Sequence, residues 1–142
     1  MIKKIERPTT KELETILTIW LSANIEAHPF IPKSYWLDNF EFVKAHLPQA
    51  ALYVSIEANE IVGFLGMTNN YIAGIFILSA YRNQKIGQAL LNEVKQTHDH
   101  LRLSVYKKNQ AAVAFYLKQD FQLINEQVDA TGEVEYELIW KR

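Results

Sequence analysis

"YIAGIFILSAYRNQKIGQALL", residues 71–91, decides the fold. Tyr71 to Leu78 is a continuous apolar run of strand length. Such a run reads as a central strand covered on both faces. "SAYRNQK" is polar. Ile86, Ala89, Leu90 and Val94 then recur at helical spacing, with Gly87 inside the first turn. "LRLSVY", residues 101–106, alternates like the next strand. Strand, helix and strand in this order predict a crossover unit, which requires the two strands to be parallel.

The flanks extend this unit into a mixed sheet. Ile2 to Arg7 reads as a first strand, ended by Pro8. "TTKE" reads as a helix start, with Thr9 as cap and Glu12 three residues on. Leu13, Ile16, Leu17, Trp20 and Leu21 give that helix its apolar face, and "HPFIP" breaks it. A second helix over Lys33 to His46 turns Trp36, Leu37, Phe40 and Val43 inward. "ALYVSIE" and "IVGFLGMTN" flank "ANE" as a hairpin. Beyond the crossover, "QAAVAFYLK" reads as a helix, and "FQLINEQV" and "VEYELIWK" as strands joined at "ATGE". The predicted order is β-α-α-β-β-β-α-β-α-β-β, an α/β chain with helices on the faces of a mixed sheet and one domain over residues 1–142.

Composition narrows the function classes. Hydrophobic residues make up 49% and charged residues 22%, with a net charge of −1. The electrostatic footprint of a nucleic-acid binder is missing. There are no cysteines, which excludes a disulfide scaffold, a thiolate metal site and a cysteine nucleophile. His28, His46, His98 and His100 are scattered without helical metal spacing, so no catalytic metal is expected. No apolar run approaches the roughly 18 to 20 residues that span a bilayer. "MIKKIERP" reads as a charged strand, not a signal peptide. A cytoplasmic chain, away from membranes, is expected.

Two readings of Gly87 are open at this level. It either packs closely against a neighbour or removes a Cβ where a phosphate would press on the backbone. A helix start with free N–H groups suits an anion, and Arg82 and Lys85 add positive charge. Likewise, Phe115 and Tyr116 in "NQAAVAFYLKQDF", residues 109–121, are either core aromatics or part of a site.

Taken together, these segments resemble the GNAT superfamily of N-acetyltransferases. The signature Q/R-x-x-G-x-G/A is matched by Gln84-Lys85-Ile86-Gly87-Gln88-Ala89, and N-x-x-A-x-x-F-Y-x-K-x-G-F by residues 109–121. The front half, "IWLSANIEAHPF", is similar to a subgroup of small bacterial members. The resemblance implies transfer of acetyl from acetyl-CoA to a primary amine by direct attack. The acceptor would be a small molecule or a protein amine, and the chain a monomer or homodimer. It implies that the strand backbone at Ile75, Phe76 and Ile77 pairs with the pantetheine arm. Arg82 and Gln84 to Ala89, hence also Lys85, Ile86, Gly87 and Gln88, would hold the pyrophosphate. Asn109 would touch the arm, and Tyr116 would face the thioester sulfur. A bulge near Gly74 would splay the two parallel strands.

Three departures from the pattern involve four positions. Asn83 and Lys85 stand where glycines are often found, Asp120 replaces a glycine, and Ala73 lies near the place of a strand acid. The last departure leaves the base without an obvious owner. His28, in the loop after the first helix, is the best-placed base or acceptor-binding group, although a histidine before Pro29 also suits a helix end. Glu26 and Phe30 complete the expected acceptor side. The alternative is an acyl-CoA-binding sensor or partner module without catalysis.

Overall fold

Turns and caps written into the sequence set the element boundaries. The structure is a computed structural model that describes residues 1–142. β1 (Ile2–Ile5) leads into α1 (Thr10–Ala27). Thr9 Oγ1 accepts from the Glu12 N–H at 3.1 Å, and Glu12 Oε1 accepts from the Thr9 N–H at 2.8 Å, the reciprocal capping box. α2 (Lys33–His46) follows, then β2 (Ala51–Glu57) and β3 (Glu60–Thr68). Their connection, Ala58 and Asn59, has φ of 50° and 64°, the two positive values that a tight hairpin turn needs. β4 (Tyr71–Ile77), α3 (Ile86–Lys95), β5 (His100–Tyr106), α4 (Gln110–Lys118), β6 (Gln122–Val128) and β7 (Val134–Lys141) complete the chain.

The strands form one seven-stranded sheet in the order β1-β2-β3-β4-β5-β7-β6. Only β4 and β5 are parallel, as the crossover predicts. α1 and α2 cover one face. Ile16, Ile19, Trp20 and Trp36 pack there on Ile5, Leu52, Val54 and Phe64. α3 and α4 cover the other face, where Ile86, Leu90, Leu91, Val94 and Tyr116 meet Leu65, Ile72, Leu101, Leu103 and Leu138.

Two expectations fail locally. Leu37 is exposed rather than inward, because α2 buries only the stripe carrying Trp36 fully. β4 is central, but only Ile72 is fully buried. Residues 73–77 are not covered on both faces, because they line an opening beside β5.

Asp120 shows what its departure from glycine costs. α4 ends in a complete Schellman motif: Phe121 N–H donates to the Tyr116 carbonyl at 3.1 Å, and Asp120 N–H to that of Leu117 at 3.2 Å. This places Asp120 at φ 71°. A left-handed residue with a Cβ is strained by roughly 1–2 kcal/mol, partly relieved for aspartate. Asp120→Gly should therefore raise Tm by about 1 to 4 °C in a thermal melt. A lower Tm would show that the attraction of Asp120 for Lys95 outweighs the strain.

Candidate active site

The opening begins where the parallel pairing stops. β4 and β5 pair only at Tyr71↔Arg102 and Ile72↔Leu103. Across β3, Met67 pairs with Ile72 but Gly66 pairs with Gly74, so Ala73 is one residue too many and bulges out. Gly74 makes room for the ring of Phe76, since a Cβ at residue 74 would collide with Phe76 Cζ. Beyond the bulge the strands diverge, and the gap opens into a cleft of about 880 Å³. Between the two strands the Tyr71 hydroxyl donates to Ser104 Oγ at 3.1 Å, and both residues line the cleft.

Backbone groups on the β4 side of the gap lack a strand partner. The Ile77 carbonyl accepts from Arg82 Nε at 3.3 Å, and the Leu78 N–H donates to Val62 on the other side. The period of a strand then turns the backbone of Ile75 to the gap as well. Arg82 spans the mouth, with Nη1 3.3 Å from Glu26 Oε2. Glu26 thus sits at the rim as an ion-pair partner and does not line the cleft.

The loop into α3 explains its own residues. Asn83 and Lys85 have φ of 62° and 64°, so the two places where glycine would be easy are left-handed here. α3 begins without a side-chain cap. Its first N–H groups therefore lack an intrahelical or side-chain acceptor. Arg82, Lys85, Ile86, Gly87 and Gln88 line the cleft, whereas Gln84 and Ala89 do not. Gln84 turns back toward the Ala80 carbonyl. The packing reading of Gly87 is met, and the residue also stands on the cleft wall. A Cβ on it would meet Phe115 Cζ at 3.2 Å and Ile77 Cδ1 at 3.5 Å.

Tyr116 reaches the cleft from α4. Phe115 and Phe121 hold its ring edge-on, at centroid distances of 5.2 and 5.6 Å. Burial pushes its phenol above the ordinary value, so it stays protonated.

His28 and Asn109 meet across the cleft. His28 Nδ1 lies 2.9 Å from the Asn24 carbonyl, which can only accept, so Nδ1 carries the proton. Asn109 Oδ1 accepts from Ala112 N–H at 3.3 Å as the cap of α4. Its Nδ2 then donates to His28 Nε2 at 3.3 Å. The imidazole is neutral, with both nitrogens engaged. Trp36 stacks on it at 5.2 Å, and Phe30 and Tyr106 present their edges at 5.6 and 5.1 Å. Phe30 stands behind this box rather than on the cleft wall. Tyr106 is fixed by a 2.5 Å bond to Asp129 Oδ2 in the turn between β6 and β7.

Burial lowers the His28 pKa, against the opposing pull of the Asn24 carbonyl. The unfolded chain protonates this ring near 6.5. Below that pH the unfolded state binds more protons than the folded state, so stability is lost as pH falls from 6.5 toward the folded value. Melting curves at pH 7.5 and 5.5 should show a smaller drop for His28→Gln than for the parent chain. Equal drops would mean that the other ionisable groups carry all of the pH dependence.

Several cleft residues carry no signal in the sequence. Asn24, Ser104, Tyr106 and Glu135 line the cleft. The alternation of "VEYELIWK" marks Glu135 as one face of a strand, but not that β7 lies next to β5. No group of three or more His, Asp or Glu side chains could hold a metal ion. No helix is long and apolar enough to cross a membrane.

A parallel strand pair that splays at a bulge and is followed by an uncapped helix start is the frame that the resemblance to N-acetyltransferases implies. The family profile of the acetyltransferase (GNAT) domain matches residues 36–134. Peptidyl-lysine N-acetyltransferase YiaC of Escherichia coli K12 is 37% identical over 127 residues, covering 88% of this chain and 85% of that protein. Peptidyl-lysine N-acetyltransferase YjaB of Salmonella typhimurium is 30% identical, covering 94% and 93%. The solution structure of apo YjaB from Escherichia coli superposes with a TM-score of 0.84 at 24% identity, covering 99% of this chain and 97% of that one. The chain belongs to the GNAT acetyltransferase family and is an N-acetyltransferase.

Proposed function

We propose that the cleft transfers acetyl from acetyl-CoA to the ε-amino group of a lysine in a protein or peptide. The observation that carries this reading is the gap between β4 and β5, with unpaired strand backbone on one wall and Tyr116 opposite. The names of the relatives support lysine as acceptor. The pantetheine arm would pair with the backbone of Ile75 to Ile77, replacing the bond from Arg82 to the Ile77 carbonyl. Arg82 would then be free to meet a phosphate. Lys85 and the first N–H groups of α3, from Ile86 to Gln88, would hold the pyrophosphate.

The chemistry is a direct displacement. A lysine ammonium with pKa of about 10.4 is neutral in roughly one molecule in 2,500 at pH 7, so a proton must leave before attack. The free amine forms the N–C bond at the thioester carbonyl, and the Ile75 N–H faces the developing oxyanion. The C–S bond then breaks, giving the amide and the CoA thiolate, which becomes the thiol by taking up, through solvent, the second proton that the acylated nitrogen sheds. Tyr116 would donate a hydrogen bond to that sulfur. A thiol has a pKa near 8.5, below that of an ordinary phenol near 10, and burial widens the difference. A shared hydrogen bond that strengthens as sulfur gains charge therefore costs less than an early proton transfer. His28 would take the amine proton once the Asn109 amide swings off Nε2. The cytoplasm, where acetyl-CoA and folded protein surfaces meet, is the compartment this reaction fits.

Free thiol should be released when the protein is mixed with acetyl-CoA and lysyl peptides, with the product acetylated at the lysine nitrogen. No turnover with any peptide, protein or small amine would sink the reading.

A further inference from the structure

The charges along the cleft are divided. Arg82 and Lys85 line it at the α3 end. Glu135, on β7, is its one acidic lining residue. Other carboxylates nearby are already matched. Glu26 pairs with Arg82 at 3.3 Å, Glu137 with Arg102 at 3.3 Å, and Glu133 with Lys108 at 3.0 Å. Asp129 is held by Tyr106 and Thr131. Glu135 has no cationic partner. Its Oε1 accepts from Gln127 Nε2 at 2.8 Å, a neutral amide that orients the group without cancelling its charge.

Register places this carboxylate on the acceptor side. Glu135 is paired with Tyr106 between β7 and β5. Directly opposed residues of an antiparallel pair share a face of the sheet. The Tyr106 ring touches His28, so Glu135 faces the same side as the imidazole. It is only half-buried, which leaves it reachable from the cleft.

We infer that Glu135 is the subsite for the acceptor's ammonium group. This rests on the acetyltransferase reading and adds the residue that would recognise the acceptor. An amine in this cleft arrives as a cation while the donor arrives as a polyanion. A cleft with two cations at one end and one unmatched carboxylate at the other sorts the two substrates by charge. A half-buried ion pair is screened less than a surface one, so the selection survives physiological salt.

The test uses binding as well as turnover. The probe is a short peptide with blocked termini and a single lysine, titrated calorimetrically into the protein saturated with CoA. Glu135→Gln should weaken peptide binding about tenfold or more, with acetyl-CoA affinity and Tm unchanged. Glu137→Gln should change it less than about threefold. In turnover, KM for the lysyl peptide should rise in Glu135→Gln, while KM for a hydrazide, neutral at pH 7, should not. Unchanged peptide affinity, or equal losses for cationic and neutral acceptors, would overturn the inference. Failure of the peptide to bind the parent protein would overturn it too. Peptide binding that depends on Glu135 in a protein without turnover would keep the subsite and discard the catalytic reading. Turnover that ignores Glu135 would do the reverse.

Discussion

Tyr116→Phe is expected to lower kcat by about 10² to 10³ while leaving the Kd for acetyl-CoA within about twofold. The phenylalanine keeps the ring between Phe115 and Phe121, so the packing that holds α4 to the sheet survives. Only the hydroxyl is lost, and burial already keeps it protonated in the resting protein. The sulfur it would face carries little charge in the thioester and nearly a full charge as the C–S bond breaks. Its hydrogen bond is therefore worth most in the transition state, the condition for an effect on kcat rather than on binding. The measurement is steady-state kinetics with a single-turnover control, to confirm that chemistry limits the rate. Full kcat in the variant would make Tyr116 a packing residue of α4 and move the leaving-group role elsewhere.

The frame that positions Tyr116 was legible in the sequence to different depths. Helix starts and hairpin turns come from local chemistry: Thr9 with Glu12, and Ala58-Asn59 between two apolar runs. The parallel pair was legible because strand, helix and strand in succession leave few other topologies. The opening between β4 and β5 was legible only through the resemblance, since nothing in "YIAGIFIL" itself says that half of it is uncovered. The acceptor side was the least legible. The His28–Asn109 bond joins residues 81 positions apart. Glu135 becomes part of the cleft only because β7 inserts between β5 and β6, and a β6-β7 hairpin can join a sheet by either strand. Glu26 and Phe30 lie close to His28 along the chain, but neither lines the cleft. The last turn of α1 points Glu26 to Arg82, and the Pro29 turn carries Phe30 behind the imidazole.

Gly87→Val should act on both folding and donor binding, because one position serves both. The Cβ of any residue at 87 would lie 3.2 Å from Phe115 Cζ and 3.5 Å from Ile77 Cδ1. A valine adds two more carbons where α3, α4 and β4 converge. Overpacking of this kind costs typically about 1 to 3 kcal/mol. The gain in helix propensity over glycine returns only a few tenths of that. Tm should fall by about 3 to 10 °C. Alanine separates the terms. It needs a shift of only a few tenths of an ångström from Phe115, and it gains most from replacing glycine in a helix, so Gly87→Ala should stay within about 1 kcal/mol of the parent. Donor binding in the folded valine variant then reports on the loop. CoA, which carries the pyrophosphate, should lose about tenfold or more in affinity, while pantetheine, which does not, should lose less. The crowding falls at the first turn of α3, where the free N–H groups stand, and not along β4, where the arm would pair. Equal losses for the two ligands would mean that the strain reaches β4 through Ile77, and that the phosphates are held somewhere other than this helix start.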